Sequence, residues 1–297
     1  MLWKMLQFGS KLGMELYYRR DPRPAELPIK ENIPYTASGL EEHKLDIIYP
    51  ASKRQKYPYI INVHGGSFSM HSKDKLYRHY GMRLAKSSFA VVNINYRLAP
   101  QFTYPAQIQD MLASIQFIYE HADSLYLDNN AMFLTGDSAG AYLAAMAACI
   151  MTNPSLQESY QFHSNAACKA IALHCGLYDF TTAMEPAIIF PMKRLMIQTL
   201  FGRKDYTQAQ HFSASSVFAL LTSQFPPAYL MDYEKNSFHL EALRFAKLLE
   251  EHQIIHQLHL FKKEENLIHS FHIISKYPQS TIVLEETLSF FESFIEL

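Results

Sequence analysis

Short apolar, β-branched runs alternate along the chain with longer segments whose apolar residues recur every three or four positions. The runs Leu45 to Tyr49, Tyr59 to Val63, Ala90 to Tyr96, Ala131 to Thr135, Ala170 to Cys175, Ala228 to Tyr233 and Ile255 to Phe261 read as strands. Lys75 to Lys86, a segment from Pro105 to about His121, the alanine-rich Ala139 to Met151, Phe238 to Glu251 and a closing Ile282 to Phe294 read as helices. Pro105 suits a first helical turn, where its missing N–H has no intrahelical partner. In the segment from Phe238 the spacing turns Leu240, Leu243, Ala246 and Leu248 inward. Strands that are apolar throughout are those buried on both faces. The βαβα order therefore predicts an α/β fold, a mostly parallel, doubly wound sheet with helices on both faces.

Two stretches stand outside this alternation. Within residues 1–30, Leu2, Met5, Leu6, Leu12 and Leu16 can share one face of a helix broken by Gly9 and Gly13. An amphipathic helix packed on the body accounts for that pattern. Residues from about 178 to 225 are rich in Met, Phe and Leu, and read as packing helices combined with a small lid over a pocket. The whole chain, 1–297, is expected to form one domain.

Composition narrows the function. Lys and Arg number 27 against 28 Asp and Glu, which gives no basic face for nucleic acid. Charged residues interrupt every apolar run short of a membrane span. The three cysteines, Cys149, Cys168 and Cys175, have no framework spacing and fit buried thiols in a reducing compartment. The N-terminus lacks the uninterrupted apolar core and small-residue cleavage site of a signal peptide, so a cytoplasmic protein is expected. Neither CxxC nor HExxH occurs, and no metal site is expected.

The chemistry concentrates at two glycine clusters. Gly136-Asp137-Ser138-Ala139-Gly140 follows the strand MFLT and opens a helix, the strand–turn–helix setting of a nucleophile elbow. Small residues flank the serine where backbones approach closely, and the helix N-terminus favours developing negative charge. His64-Gly65-Gly66-Ser67-Phe68 follows the strand IINV, and its glycines let backbone N–H groups point at an oxyanion. Among the 14 histidines, His269 and His272 alone fall in the loop between the last strand and the last helix.

With HGGSF at 64–68, NYRLAP at 95–100, YPAQIQD at 104–110, GDSAG at 136–140, Pro226-Pro227 before a strand, and His269-Ser270-Phe271, the sequence resembles the hormone-sensitive-lipase-like esterases and acetyl esterases of the α/β-hydrolase fold. The resemblance implies Ser138 as nucleophile and His269 as base, with His272 the alternative. It implies Gly66, Ser67 and Ala139 as oxyanion donors, and His64 as a residue that shapes that loop. Asp110 and Arg97 take structural positions, and Asp137 orients the elbow. No cofactor is implied.

The sequence departs from the family pattern in three places. Ser67 and Ala141 replace glycines, and backbone donors survive both changes. At the position of the family's triad acid stands Asn236, which can orient a histidine but cannot stabilise an imidazolium as a carboxylate does. Glu234 is the better of two nearby substitutes, with Asp232 directed along its strand. The expected activity is hydrolysis of small carboxylic esters with short acyl groups through an acyl-enzyme. Asn236 keeps a hydrolase-fold binding protein open as an alternative, and the same machinery could serve small peptides. A homodimer is compatible with these features.

Overall fold

The computed structural model describes residues 2–180 and 193–295. Its strands are β1 (Ile29–Pro34), β2 (Lys44–Ile48), β3 (Tyr57–Val63), β4 (Ala90–Ile94), β5 (Leu127–Asp137), β6 (Cys168–His174), β7 (Ala228–Tyr233) and β8 (His256–Phe261). They form one sheet in the order β1-β2-β4-β3-β5-β6-β7-β8. β2 is antiparallel to both β1 and β4, and every pairing from β4 to β8 is parallel. The helices among the described residues are α1 (Leu2–Arg20), α2 (Leu76–Leu84), α3 (Ala106–His121), α4 (Ala139–Met151), α5 (Pro154–Ser159), α6 (Lys193–Phe201), α7 (Val217–Leu220), α8 (His239–Glu251) and α9 (Pro278–Glu292).

Alternate side chains along the strands feed two cores. Tyr59, Ile61, Val63, Met132 and Leu134 pack with α3, α4 and α8 on one face of the sheet. Ile60, Ala131, Phe133, Ala170 and Ala172 pack with α2 and α9 on the other. Burial on both faces explains the continuous apolar strands. α4 is buried at every one of its 13 residues, which its small alanine side chains permit. The parallel strands all end on one edge. That edge collects the loops after β3, β5, β7 and β8, where an open α/β sheet places its ligand site.

Three expectations need correction. α1 runs unbroken through Gly9 and Gly13. Met5, Leu12 and Leu16 are exposed on it, and Met14 and Tyr17 on another face pack against the body. In α8, Leu240 and Leu243 are exposed, and the inward residues are Ala242, Phe245, Ala246 and Leu249, with Leu248 partly buried. Phe245 sets that phase: a large ring packed against Tyr178, Phe218 and Phe225 leaves the two leucines facing outward. β1 went unrecognised because IKENIP has no apolar run; it lies on the sheet edge, mostly exposed. Of the expected lid, residues 181–192 lie outside the described residues, and α6 and α7 account for part of the remainder.

Candidate active site

Ser138 sits between the last residue of β5 and the first of α4, at φ 51°, ψ −113°. An L-residue adopts that conformation only under constraint. The constraint is visible in its neighbours. A Cβ on Gly140 would overlap the carbonyl oxygen of Val63, so the end of β3 packs directly against the elbow. The Ser138 N–H donates to the His174 carbonyl at 2.9 Å, locking the turn to β6. The side chain therefore stands at the carboxyl edge of the sheet, at the N-terminus of a fully buried helix.

The loop after β3 wraps the same point. Gly66 has φ 115° and Ser67 φ 53°. A Cβ on Gly66 would overlap the Met70 carbonyl oxygen, so glycine is required there. The N–H groups of Gly66 and Ser67 donate to no protein acceptor among the described residues. Ala139 opens α4, and its N–H has no intrahelical acceptor. The replacement of glycine by Ser67 thus keeps the donor but places a Cβ in the left-handed region.

Asp137 ties loop to elbow. The Gly65 N–H donates to the Tyr77 hydroxyl at 2.8 Å and to Asp137 Oδ1 at 3.0 Å, and the Tyr77 hydroxyl donates to Asp137 Oδ2 at 3.2 Å. Burial raises the Asp137 carboxyl to about 6, against the hydrogen bonds that favour its charge. His64 stacks on Tyr96 at 4.3 Å, and burial lowers its pKa to about 4, so it shapes the loop as a neutral ring. Farther back, Arg97 and Asp110 pair at 2.6 Å and pin the loop after β4 to α3.

His269 lies in the loop between β8 and α9, half-buried, edge-on to Phe238 at 5.3 Å. Burial lowers its pKa to about 4. His272 lies apart, buried edge-on against Tyr80 at 5.3 Å and 4.4 Å from His174. Ser138, His269, Gly66 and Ser67 line one cavity of about 540 Å³, and His272 does not.

The residues after β7 are arranged differently from the family pattern. Asn236 is exposed on a left-handed turn at φ 56° and makes no hydrogen bond to His269 among the described residues. Glu234 is turned to the surface, paired with Lys262 at 2.7 Å. The group at His269 is Ser237, fully buried, with its Oγ 2.9 Å from Nδ1. Beneath it, Asp232 is fully buried with Oδ1 accepting from the Tyr233 N–H at 2.7 Å. Of the two acidic candidates, Asp232 is close to the histidine's partner and Glu234 faces away. Ser237 escaped the sequence reading because a serine carries no signal of its own. Asp232 did carry one, an acid inside a strand otherwise wholly apolar.

α1 forms the roof. Gly9, Gly13, Met14 and Tyr17 line the cavity from above. The Gln7 side-chain amide donates to the Ser69 carbonyl at 3.0 Å, and Lys75 pairs with Glu15 at 2.6 Å. Asp21, just past the helix, accepts from His79 at 2.8 Å and from the Ser275 N–H at 2.9 Å. Lys193 and Met196 of α6 close the cavity from the other side. Among the described residues no group of three or more His, Cys, Asp or Glu could hold a metal ion, and no helix is long and apolar enough to cross a membrane.

The chain is similar to known proteins in sequence and in fold. The chain is 29% identical to Esterase LipQ of Mycobacterium tuberculosis over 208 residues, 69% of this chain and 48% of that protein. It is 31% identical to Carboxylesterase NlhH of Mycobacterium tuberculosis over 110 residues, 37% of this chain and 34% of that one. The chain thus spans about half the length, or less, of the curated relatives it matches. The crystal structure of Esterase B from Lactobacillus Rhamnosis (HN001) superimposes with a TM-score of 0.87 at 26% identity, covering 98% of this chain and 93% of that one. EstE1, a thermophilic carboxylesterase from a metagenomic library, shares the fold with a TM-score of 0.75 at 19% identity over 99% and 98% of the two chains. The BD-FAE family pattern matches residues 45–238, from β2 through the loop that carries Ser237, and the chain belongs to that family of α/β-hydrolase esterases.

Proposed function

We propose that this protein is a serine carboxylic ester hydrolase that cleaves small, short-chain acyl esters through an acyl-enzyme. One observation carries the reading: a serine in a strained elbow, a neutral histidine and two unspent loop N–H groups line a single cavity. His269 Nε2 takes the proton as the Ser138 Oγ–H bond breaks and the Oγ–carbon bond forms. The carbonyl π pair moves onto oxygen, where the Gly66, Ser67 and Ala139 N–H groups receive it. His269 then gives its proton to the leaving alcohol, and water repeats the sequence to release the acid. Relatives named as esterases and carboxylesterases support this chemistry.

A cavity of about 540 Å³, walled by Met14, Tyr17, Met70, Met196 and Phe238, supports a small apolar ester. The free thiols, two of them buried, support work in a reducing cytoplasm. Ser138→Ala is expected to lower kcat on 4-nitrophenyl acetate by on the order of 10⁴-fold or more while the fold persists. Wild-type protein is expected to become labelled at Ser138 by a fluorophosphonate. Turnover undiminished in folded Ser138→Ala protein defeats the proposal. An acyl series in which long-chain esters have higher kcat/KM than acetate and butyrate defeats its short-chain part.

A further inference from the structure

A base enclosed like His269 needs help that a serine alone does not supply. During attack it becomes an imidazolium in a pocket that disfavours charge. The group at its Nδ1 is the neutral hydroxyl of Ser237, 2.9 Å away. A hydroxyl that accepts from Nδ1–H keeps its own proton free for another acceptor. The acid beneath it fits that need. Asp232 is fully buried, and its Oδ2 has no hydrogen-bond partner among the described residues. The Ser237 hydroxyl, the Phe238 N–H and the Cys175 thiol all favour its charged form. The Phe238 N–H lies at the start of α8, so that helix also turns its positive end toward the carboxylate.

We propose that Ser237 and Asp232 replace the missing triad acid: the Ser237 hydroxyl accepts from His269 Nδ1–H and donates to the Asp232 carboxylate. The inference rests on Ser138 and His269 acting as nucleophile and base. No proton leaves Ser237 or Asp232 in the reaction. The proton that moves is that of Ser138, onto His269 Nε2, while the relay fixes the tautomer and sets a negative charge behind the forming imidazolium. Both are positioning residues. Asn236 has a backbone role: its left-handed turn brings the next residue inward, a conformation that asparagine tolerates better than most. The relay carries an acid that sits four residues before Asn236, inside the strand, to the histidine.

Burial raises Asp232 to about 7, and the polar groups of Ser237, Tyr233, Cys175 and Phe238 around it work against that rise. The titratable side chains that feel its charge are Cys175 and Tyr178 from the segment after β6. His269 faces it through Ser237. Both thiol and phenol are held in their neutral forms by burial, which leaves the histidine as the cation the carboxylate can serve.

The test uses Ser237→Ala, Ser237→Thr, Asp232→Asn and the Ala–Asn double variant, each confirmed folded by near-ultraviolet circular dichroism. On 4-nitrophenyl acetate, Ser237→Ala and Asp232→Asn are expected to lower kcat by on the order of 10²-fold with KM little changed. The double variant is expected to be no worse than the poorer single one, because either change cuts the same link. Ser237→Thr keeps the hydroxyl and is expected to restore most of the activity. The acid limb of the kcat profile is expected to move to lower pH in Asp232→Asn, since loss of the negative charge lowers the pKa of the base. Asn236→Asp is expected to change little. Wild-type kcat and an unmoved acid limb in folded Ser237→Ala or Asp232→Asn overturn the relay, and so do losses that add. Should Asp232→Asn fail to fold, the Ser237 pair decides alone.

A second readout does not depend on turnover. Nitrogen-15 NMR of labelled histidine is expected to show His269 with its proton on Nδ1 in the wild type, and a shift toward the Nε2–H tautomer in Ser237→Ala. An Nε2–H tautomer that ignores residue 237 removes the relay even if esters are hydrolysed. The Ser237-dependent signature without ester turnover leaves the relay standing and removes the esterase reading.

Discussion

The bond network around Tyr77 predicts how much of the oxyanion hole depends on one hydroxyl. Tyr77→Phe removes the acceptor of the Gly65 N–H at 2.8 Å and the donor to Asp137 Oδ2 at 3.2 Å. The ring itself stays, buried in the second core. Gly65 then keeps only its bond to Asp137 Oδ1 at 3.0 Å, and a buried carboxylate oxygen loses a donor. Two bonds at about 1 kcal/mol each, with the extra cost of an under-satisfied charged acceptor, give a stability loss of about 2–3 kcal/mol. The catalytic effect follows from position. Gly65 precedes the two donors Gly66 and Ser67, so a looser Gly65 misaims both. Complete removal of one oxyanion donor costs about 10²–10³ in kcat, and misalignment should cost about 10-fold or somewhat more. Steady-state kinetics on 4-nitrophenyl acetate and the affinity of a trifluoromethyl ketone check this together. Transition-state affinity is expected to fall in proportion to kcat/KM, with KM nearly unchanged. A lower melting temperature with wild-type kcat would falsify the brace as a catalytic support. A raised KM with constant kcat would instead assign Tyr77 a role as cavity wall only.

Three further outcomes are expected. Gly13→Leu places a side chain where nothing lies within 4 Å of the Cβ position and where the helix lines the cavity. It should lower kcat/KM for bulky esters far more than for acetate while adding about 0.5–1 kcal/mol of helix stability; equal losses across an ester series refute this. Ser67→Gly relieves a Cβ at φ 53° and should stabilise the protein by up to about 1 kcal/mol with activity retained, which urea midpoints would contradict by falling. Acid should unfold the protein early. Burial holds His64, His71, His174 and His269 at about 4, 3, 3 and 4, and holds His272 well below the usual histidine value. A depressed histidine contributes stability that is fully present above its unfolded pKa and lost as pH falls through about 6.5 toward the folded value. Asp137 and Asp232, raised to about 6 and 7, return part of that loss over the same range because their folded forms hold protons more tightly. The histidines outnumber them, so stability should fall by on the order of 4 kcal/mol per pH unit below pH 6. Urea midpoints at pH 7 and pH 5 read it, and a flat or rising midpoint on acidification contradicts the balance.

The parts of the site that the sequence announced are those where the backbone admits few residues. Gly66 and Gly140 each face a carbonyl oxygen that a Cβ would overlap, so GG and GxSxG survive as readable strings. The strands were legible because burial on both faces demands continuous apolar runs. Legibility failed where the deciding contact lay elsewhere in the chain. The face of α8 depends on where Phe245 meets three other aromatic rings, and the leucines at 240 and 243 mimic an inward stripe. The role of α1 depends on glycines that line a cavity built by distant loops.

The same reasoning explains why the acid was the least readable member of the site. A nucleophile must sit in one strained turn, and an oxyanion donor must be a backbone N–H at one place. The partner of His269 Nδ1 need only be an acceptor backed by negative charge, and several residues after β7 are within reach of that requirement. Here the turn at Asn236 carries its own side chain outward and the following hydroxyl inward. Matching residues by position alone cannot reveal that inversion. The acid inside β7 can. Burying Asp232 without an ion pair among the described residues costs free energy that the strand itself does not recover, which singles the residue out. A buried carboxylate in an otherwise apolar strand, one loop from the expected position of a triad acid, is the pattern to look for when that position holds an amide.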